Sequence, residues 1–180
     1  MTAYVALLRA VNVGGTGKLP MSELAAMCGD AGFQAVRTYI ASGNVVFSSK
    51  RRATEVRRLL DTRLEAFFGK PVGVHLRTAA EMQAVLDENP FKSAAPNRTV
   101  AIFLEATPPR DVLANVKGQS SEQLALGRRE IYVFYGKKMA DSKLKIPGAA
   151  SGTARNMNTV AKLAAMASAM GLMSKGGGKP

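Results

Sequence analysis

The sequence predicts an α+β fold built from two related halves that follow one another along the chain. Short, continuously apolar segments typical of strands alternate with longer segments in which apolar residues recur every three or four positions, as in helices. Glycine and proline stand where these segments end. The predicted order over residues 1–78 is β-α-β-β-α-β, the ferredoxin-like arrangement. Over residues 79–171 it is a related but incomplete β-α-β-β-α without an evident closing strand, and the glycine-rich residues 172–180 are predicted to be a disordered tail.

The first strand and helix are predicted from residues 3–32. Residues 3–11 are almost continuously apolar and predict a buried strand, which a glycine-rich loop follows. Pro20 suits the first turn of a helix because its missing N–H would be unpaired there. The predicted apolar face of this helix consists of Leu24, Met27, Cys28 and Ala31, and Gly32 ends it.

The next feature is a hairpin. Gly43 and Asn44 fit a two-residue turn, since glycine is favoured at the first central position. This register pairs Ile40 with Phe47 and places both side chains on the same face of the hairpin. A helix over residues 54–68, ended by Gly69, and a half-buried strand over residues 72–77 complete the first half.

The second half contains weaker signals. We predict a short helix over residues 80–88, a strand around residues 100–104 and a helix that begins at Pro108. A hairpin with its turn at residues 127–129 comes next, and residues 136–156 form a loop. The last helix has one apolar face, consisting of Val160, Leu163, Ala167 and Met170, and Asn158 or Thr159 is its expected cap.

Composition limits the classes of function. The 180 residues include 25 Lys and Arg against 13 Asp and Glu, with one Cys and one His. A disulfide framework and a Cys/His structural zinc site are excluded, because too few ligands are present. The net charge of +12 favours an anionic partner such as nucleic acid or a phosphate-bearing metabolite, although solubility alone is an alternative explanation. Without a signal peptide or a membrane span, and with a single cysteine, a cytoplasmic protein is expected.

The charge is concentrated in the second half. Residues 91–180 carry 14 Lys and Arg but only 5 Asp and Glu. Within residues 128–155, seven cations accompany Tyr132, Phe134 and Tyr135, a mixture used by surfaces that bind phosphates and stack bases. Period-two alternation sends these aromatic side chains to both faces of a strand, one of which must belong to the core, so the aromatic signal is weak.

The glycine-rich loop lacks a named phosphate-binding motif. Asn12 stands where a Walker A loop begins with glycine, and Leu19 follows Lys18 where Ser or Thr is required. A strand, a glycine loop, Lys18 and a helix N-terminus nevertheless favour an anion. A tight turn is the alternative reading.

No other residue type points to catalysis. His75 has no partner at a recognisable motif spacing and is expected to be an ordinary half-exposed histidine. Cys28 belongs to an apolar helix face, and the acidic residues are scattered singly. The catalytic residues, if there are any, are therefore unknown, and no metal or cofactor is expected.

Five segments together resemble a bacterial protein family, domain of unknown function 1697 (DUF1697). They are YVALLRAVNVGG at 4–15, RTYIASGNVVF at 37–47, NPF at 89–91, SKL at 142–144 and TARNMNTV at 153–160. Ala10 and Met157 depart from the residues usual in the family, Gly and Trp. The resemblance implies an α+β fold with a ferredoxin-like N-terminal part, and it implies no activity.

Our leading hypothesis is a module that binds a phosphate-bearing ligand, with nucleic acid as one such partner. It requires the loops of the two halves to converge on one cleft. The alternatives are an enzyme acting on a small anionic substrate, with Tyr39, Ser42 or Lys143 transferring a proton, or a protein-interaction or assembly module. Oligomeric state is open. The candidate ligand-binding residues are Arg9, Asn12, Gly14, Gly15, Lys18, Tyr39, Ser42, Asn44, Lys143, Arg155, Asn156 and Asn158.

Overall fold

The computed structural model describes the backbone of residues 1–14 and 17–175. The predictions made for Gly15 and for residues 176–180 lie outside this range. The described residues form eight strands and four α-helices, which confirms the mixed α+β class. They divide into two compact units: unit 1 comprises the described residues within 1–82 and 162–175, and unit 2 comprises residues 83–161. No helix in the described part of the chain is long and apolar enough to cross a membrane.

Unit 1 contains one four-stranded sheet and two helices that follow one another in the predicted order. They are β1 (Thr2–Leu8), α1 (Met21–Asp30), β2 (Gln34–Thr38), β3 (Asn44–Ser49), α2 (Ala53–Phe68) and β4 (Val74–Thr78). The sheet order is β2-β3-β1-β4, and every neighbouring pair is antiparallel.

The core of unit 1 lies between one face of this sheet and the two helices. Tyr4, Ala6 and Leu8 alternate along β1 toward a cluster that includes Leu24 and Leu60 of the helices. Cys28 is fully buried in the same cluster, as predicted. Both helices end before a left-handed glycine, Gly32 at φ +80° and Gly69 at φ +68°, which also confirms the predicted stops.

The predicted register of the first hairpin is wrong by four residues. Val45 pairs with Thr38 rather than Ser42, and the connection spans residues 39–43. The Asn44 side chain widens the turn, because its Nδ2 donates to the Tyr39 carbonyl (3.0 Å) and to Ser42 Oγ (2.9 Å). Ile40, predicted to share a face with Phe47, is 51% exposed, whereas Phe47 is fully buried.

Unit 2 is built around a second antiparallel sheet. The elements along residues 79–175 are α3 (Ala79–Asp87), β5 (Thr99–Phe103), β6 (Gln123–Leu126), β7 (Glu130–Phe134), β8 (Thr153–Asn156) and α4 (Met157–Lys175). Helix α3 contains the division between residues 82 and 83, and α4 the division between 161 and 162. The sheet order is β6-β7-β5-β8. The hairpin at residues 127–129 and the buried face of α4 agree with the sequence prediction.

Three predictions for this part of the chain need correction. A closing strand is present, since β8 pairs with β5 within the segment predicted to be a loop. The helix predicted from Pro108 is a series of turns over residues 110–115. Helix α4 continues to Lys175, so residues 172–175 of the predicted tail are helical.

The two sheets repeat one another in register, which no sequence repeat reveals. Arg77 in β4 lies opposite Val5, and Arg155 in β8 lies opposite Ala101, in each case on the first strand of its sheet. Each arginine donates an N–H to the carbonyl of the residue before it, at 3.0 Å and 2.9 Å. The residue after each arginine caps the following helix. Thr78 accepts a hydrogen bond from the Glu81 N–H, and Asn156 accepts one from the Thr159 N–H.

The second face of the unit 1 sheet is buried as well. Val5 and Leu7 are inaccessible, His75 is 5% exposed and Arg77 is 2% exposed. The prediction of a half-exposed histidine on a half-buried strand is therefore wrong. A polar side chain in a period-two pattern indicates the sheet face it occupies, but not whether that face meets water.

Candidate functional site

The loop after β1 is shaped by the side chain of Asn12. Its Nδ2 donates to the carbonyls of Leu19 and Ala41, both at 2.8 Å. Its Oδ1 accepts a hydrogen bond from the Leu19 N–H at 2.7 Å. One amide thus connects the two ends of its own loop to the loop between β2 and β3.

The same two loops hold backbone strain. Ala10, Asn12 and Ile40 adopt left-handed conformations, with φ of +54°, +56° and +49°. A non-glycine residue in this region costs roughly 1–2 kcal/mol because Cβ approaches the following carbonyl oxygen. Strain of this kind persists only where surrounding contacts enforce it, and it is common at ligand sites.

A cleft of about 450 Å³ opens between these loops. Lys18 is exposed at its edge, and Met21, the first residue of α1, forms part of the wall. The helix begins after Pro20, and no side chain caps it. The N–H groups at such a terminus carry partial positive charge. The complete lining is Asn12, Val13, Gly14, Lys18, Leu19, Pro20, Met21 and Ala41.

The other predicted residues of unit 1 lie around this cleft or apart from it. Asn44 is fully buried and holds Tyr39 and Ser42 in place, so its side chain supports the loop. Arg9 is exposed and lines a different pocket, of about 180 Å³, together with Lys70.

In unit 2, three of the four predicted residues lie close together in the chain but differ in their surroundings. Arg155 is 8% exposed, and one of its N–H groups donates to Thr153 Oγ1 at 2.7 Å. Burial lowers the pKa of its guanidinium to about 10, which leaves it charged at neutral pH. Asn156 caps α4 by accepting from the Thr159 N–H at 2.9 Å, so the expectation that Asn158 or Thr159 is the cap is wrong. Asn158 is exposed.

Lys143 lines a pocket that was not predicted from the sequence. Lys137 and Lys138 lie in the same pocket, although neither was a candidate. The available signals were the Lys-Lys pair and the glycine just before it, but neither indicates which distant segment forms the opposite wall.

Tyr132, one of the three aromatic residues of the basic segment, is buried. Tyr132 is 1% exposed, and its hydroxyl donates to the Val85 carbonyl at 2.8 Å. Ile131 and Val133, on the other face of β7, belong to the hydrophobic cluster of unit 2. Tyr132 is therefore not available to stack on a base, whereas Phe134 and Tyr135 are partly exposed.

The part of the chain that the structure describes contains no group of three or more His, Cys, Asp or Glu side chains that could hold a metal ion. Exposed lysines line two concave sites besides the pocket of Arg9 and Lys70. One is the Lys18 cleft of unit 1, and the other is the Lys143 pocket of unit 2.

Comparison with known proteins assigns no chemistry to either site. Residues 1–132 match a family described as protein of unknown function (DUF1697). No curated protein matches the chain. Among solved structures, the chain is similar to the conserved bacterial protein SP0830 from Streptococcus pneumoniae, with 26% identity and a TM-score of 0.78. The similarity covers 92% of this chain and 98% of that protein.

Proposed function

The chain belongs to the DUF1697 family, whose function is unknown, and from the geometry of the site we propose that unit 1 binds a phosphate-bearing ligand in the Lys18 cleft. The observation that carries this proposal is the strained pair of loops fixed by Asn12 around an exposed lysine and a helix N-terminus.

The strain supports a functional role for these loops. Ala10 and Ile40 each cost about 1–2 kcal/mol in the left-handed region, a cost that glycine would avoid and that Asn12 bears more readily. The three hydrogen bonds of Asn12 offset part of this cost. A loop that needed only to turn would not require this combination, whereas a preformed ligand site does.

The chemistry of the cleft favours phosphate. The N-terminal N–H groups of α1 and the Lys18 ammonium suit an anion with several acceptor oxygens. Val13, 52% exposed, and Met21 provide apolar surface for the rest of the ligand, such as a sugar or a base. Nucleotides and nucleic acids share this combination, and the net charge of +12 favours both.

Binding of a fluorescein-labelled single-stranded oligonucleotide and of AMP tests the proposal. Lys18→Gln should weaken binding about tenfold, because it removes one charge contact at a partly solvated site. The matched control is Lys50→Gln, which removes an exposed charge of unit 1 outside the cleft and should change affinity less than twofold.

Salt dependence separates the two sources of phosphate. For the oligonucleotide, the slope of log K against log salt should become shallower by about 0.7 in Lys18→Gln, the loss of one phosphate contact on a single strand. If the protein binds AMP but does not bind the oligonucleotide, the cleft is a nucleotide site. Equal effects of Lys18→Gln and Lys50→Gln would refute the proposal.

The strand order also supports a proposal about the fold of unit 2. We propose that unit 2 is a second ferredoxin-like unit that replaces its two internal helices by turns. Support comes from the strand order, since in both sheets the third strand lies between the second and the first, and the fourth lies beyond the first. Convergence of Lys18 and Arg155 on one cleft and a cytoplasmic location stay predictions.

A further inference from the structure

Unit 2 contains a pocket of about 330 Å³ that the proposed function does not use. One wall is formed within residues 118–122 and the other within residues 135–143. Lys137, Lys138 and Lys143 all line it, and all three side chains are exposed.

The two walls are fixed against each other by backbone contacts. Lys117 and Lys145 exchange N–H to carbonyl hydrogen bonds of 2.9 Å and 2.8 Å. Gly118 has φ +68°, and a Cβ there would lie 2.1 Å from the Lys143 carbonyl oxygen. A Cβ at Gly136 would lie 3.0 Å from the Ser121 carbonyl oxygen. The two segments approach this closely only because glycine occupies both positions.

A buried carboxylate connects the same walls. Glu122 is 7% exposed and accepts hydrogen bonds from the Ser120 N–H (2.6 Å) and from the Ser142 hydroxyl. These hydrogen bonds hold the pKa of the Glu122 carboxyl below its ordinary value, so the group is ionised at neutral pH. The Glu122 carboxylate is therefore engaged in hydrogen bonds with Ser120 and Ser142.

The lysines lack comparable partners. Within the part of the chain that the structure describes, none of the three forms an ion pair. Asp141 and Glu122 are the acidic residues of the lining, so the pocket keeps an excess of positive charge. Three cations held on a fixed frame repel one another, and a multivalent anion relieves that repulsion.

We propose that this pocket binds an oligophosphate, a chain of two or three phosphate groups, contacted by Lys137, Lys138 and Lys143. Lysine acts as a flexible point charge toward phosphate, so three lysines suit a ligand with several adjacent charges. The volume fits a compact ligand and lies near the lower end of the range for small-molecule sites. Free oligophosphate and the phosphate tail of a nucleotide share this chemistry.

Isothermal titration calorimetry of the full chain with tripolyphosphate tests the proposal. Lys143→Gln and the double substitution Lys137→Gln/Lys138→Gln should each weaken binding, by roughly five- to tenfold for each lysine removed. Lys92→Gln is the matched control, because it removes an exposed charge of unit 2 outside the pocket and should change affinity less than twofold. Orthophosphate should bind far more weakly than tripolyphosphate.

Two further arms identify the ligand source and keep the two proposals separate. Equal affinity for ATP and tripolyphosphate would mean that the phosphate chain alone is recognised, and tighter binding of ATP would assign a nucleotide. Lys18→Gln with AMP tests the unit 1 cleft and Lys143→Gln with tripolyphosphate tests this pocket, so the two proposals can fail independently. The proposal is overturned if Lys92→Gln and Lys143→Gln lose affinity equally, or if orthophosphate binds as tightly as tripolyphosphate.

Discussion

Replacing Gly118 by alanine should destabilise unit 2 much more than the same change at Gly69 destabilises unit 1. Both glycines have φ +68°, so alanine adds the same left-handed strain, about 1 kcal/mol, at each position. The surroundings differ. Nothing lies within 4 Å of a Cβ at Gly69, whereas at Gly118 the Cβ would lie 2.1 Å from the Lys143 carbonyl oxygen and 2.8 Å from its carbonyl carbon.

The contact at Gly118 cannot be relieved by rotating a side chain, because the obstructing atoms belong to the backbone of the opposite wall. Separating the walls breaks packing and the paired hydrogen bonds of Lys117 and Lys145, a cost of about 1–3 kcal/mol beyond the strain. Gly118→Ala should therefore cost about 2–4 kcal/mol and Gly69→Ala about 1 kcal/mol.

The loss of stability caused by each substitution is measured by differential scanning calorimetry and by urea unfolding monitored by circular dichroism. Gly118→Ala should also weaken tripolyphosphate binding, because Lys143 moves with its wall, while Gly69→Ala should not. Equal destabilisation by the two substitutions would refute the reasoning, since it would mean that the walls are not held at the distance from which the pocket was inferred.

Three other outcomes follow from contacts described above. Burial raises the pKa of Cys28 to about 12, so the native thiol should resist Ellman's reagent at pH 8 and react on unfolding; one equivalent reacting within minutes in the folded protein would contradict this. The lowered pKa of Glu122 stabilises the fold above its ordinary value of 4.5, and this stabilisation is lost as pH falls through the folded-state pKa. Glu122→Gln should therefore lower Tm at pH 7 and make the decline of Tm below pH 4.5 shallower than in the unmodified protein, and parallel curves would argue against it. Asn12→Ala removes three hydrogen bonds and should cost about 2–3 kcal/mol in urea unfolding, whereas Asn12→Gly should cost about 1 kcal/mol less because it relieves the left-handed strain; equal costs would show that φ is not enforced there.

Elements with local signals could be predicted from the sequence. Helices α1 and α2 have amphipathic periodicity and stop before Gly32 and Gly69, and all of these signals lie within a few residues of one another. The apolar face of α4 was predictable for the same reason. Such features depend on backbone propensity and on which side of an element is apolar, so no distant residue is needed to specify them.

Features that depend on distant partners were predicted incorrectly. Strand β8 has no apolar alternation, and its conformation follows from pairing with β5, some fifty residues earlier. The first hairpin takes its register from Asn44 and from the Leu8 N–H, which donates to the Gly43 carbonyl at 2.8 Å. A turn propensity at Gly43 could not include a bond from another strand.

The two candidate sites also differ in how much of each could be predicted from the sequence. Lys18, a glycine loop and a helix start adjoin one another in sequence, so the unit 1 cleft could be anticipated. The sequence could not show whether the Asn12 side chain supports the loop or contacts a ligand. It also contains no signal that places Lys143 in one pocket with Lys137 and Lys138. Their proximity depends on two glycines and one carboxylate in separate segments.

The sequence by itself determined the α+β class, most of the helices and the charge of +12, because each depends on composition or on residues that are neighbours along the chain. Only the tertiary structure decided which polar groups are buried and which remain accessible. Arg77 and Arg155 look like surface cations in the sequence, yet sheet pairing places both in buried positions, while the pocket keeps three lysines exposed. Charge is a property of each residue, whereas its accessibility depends on the segments that pack against it.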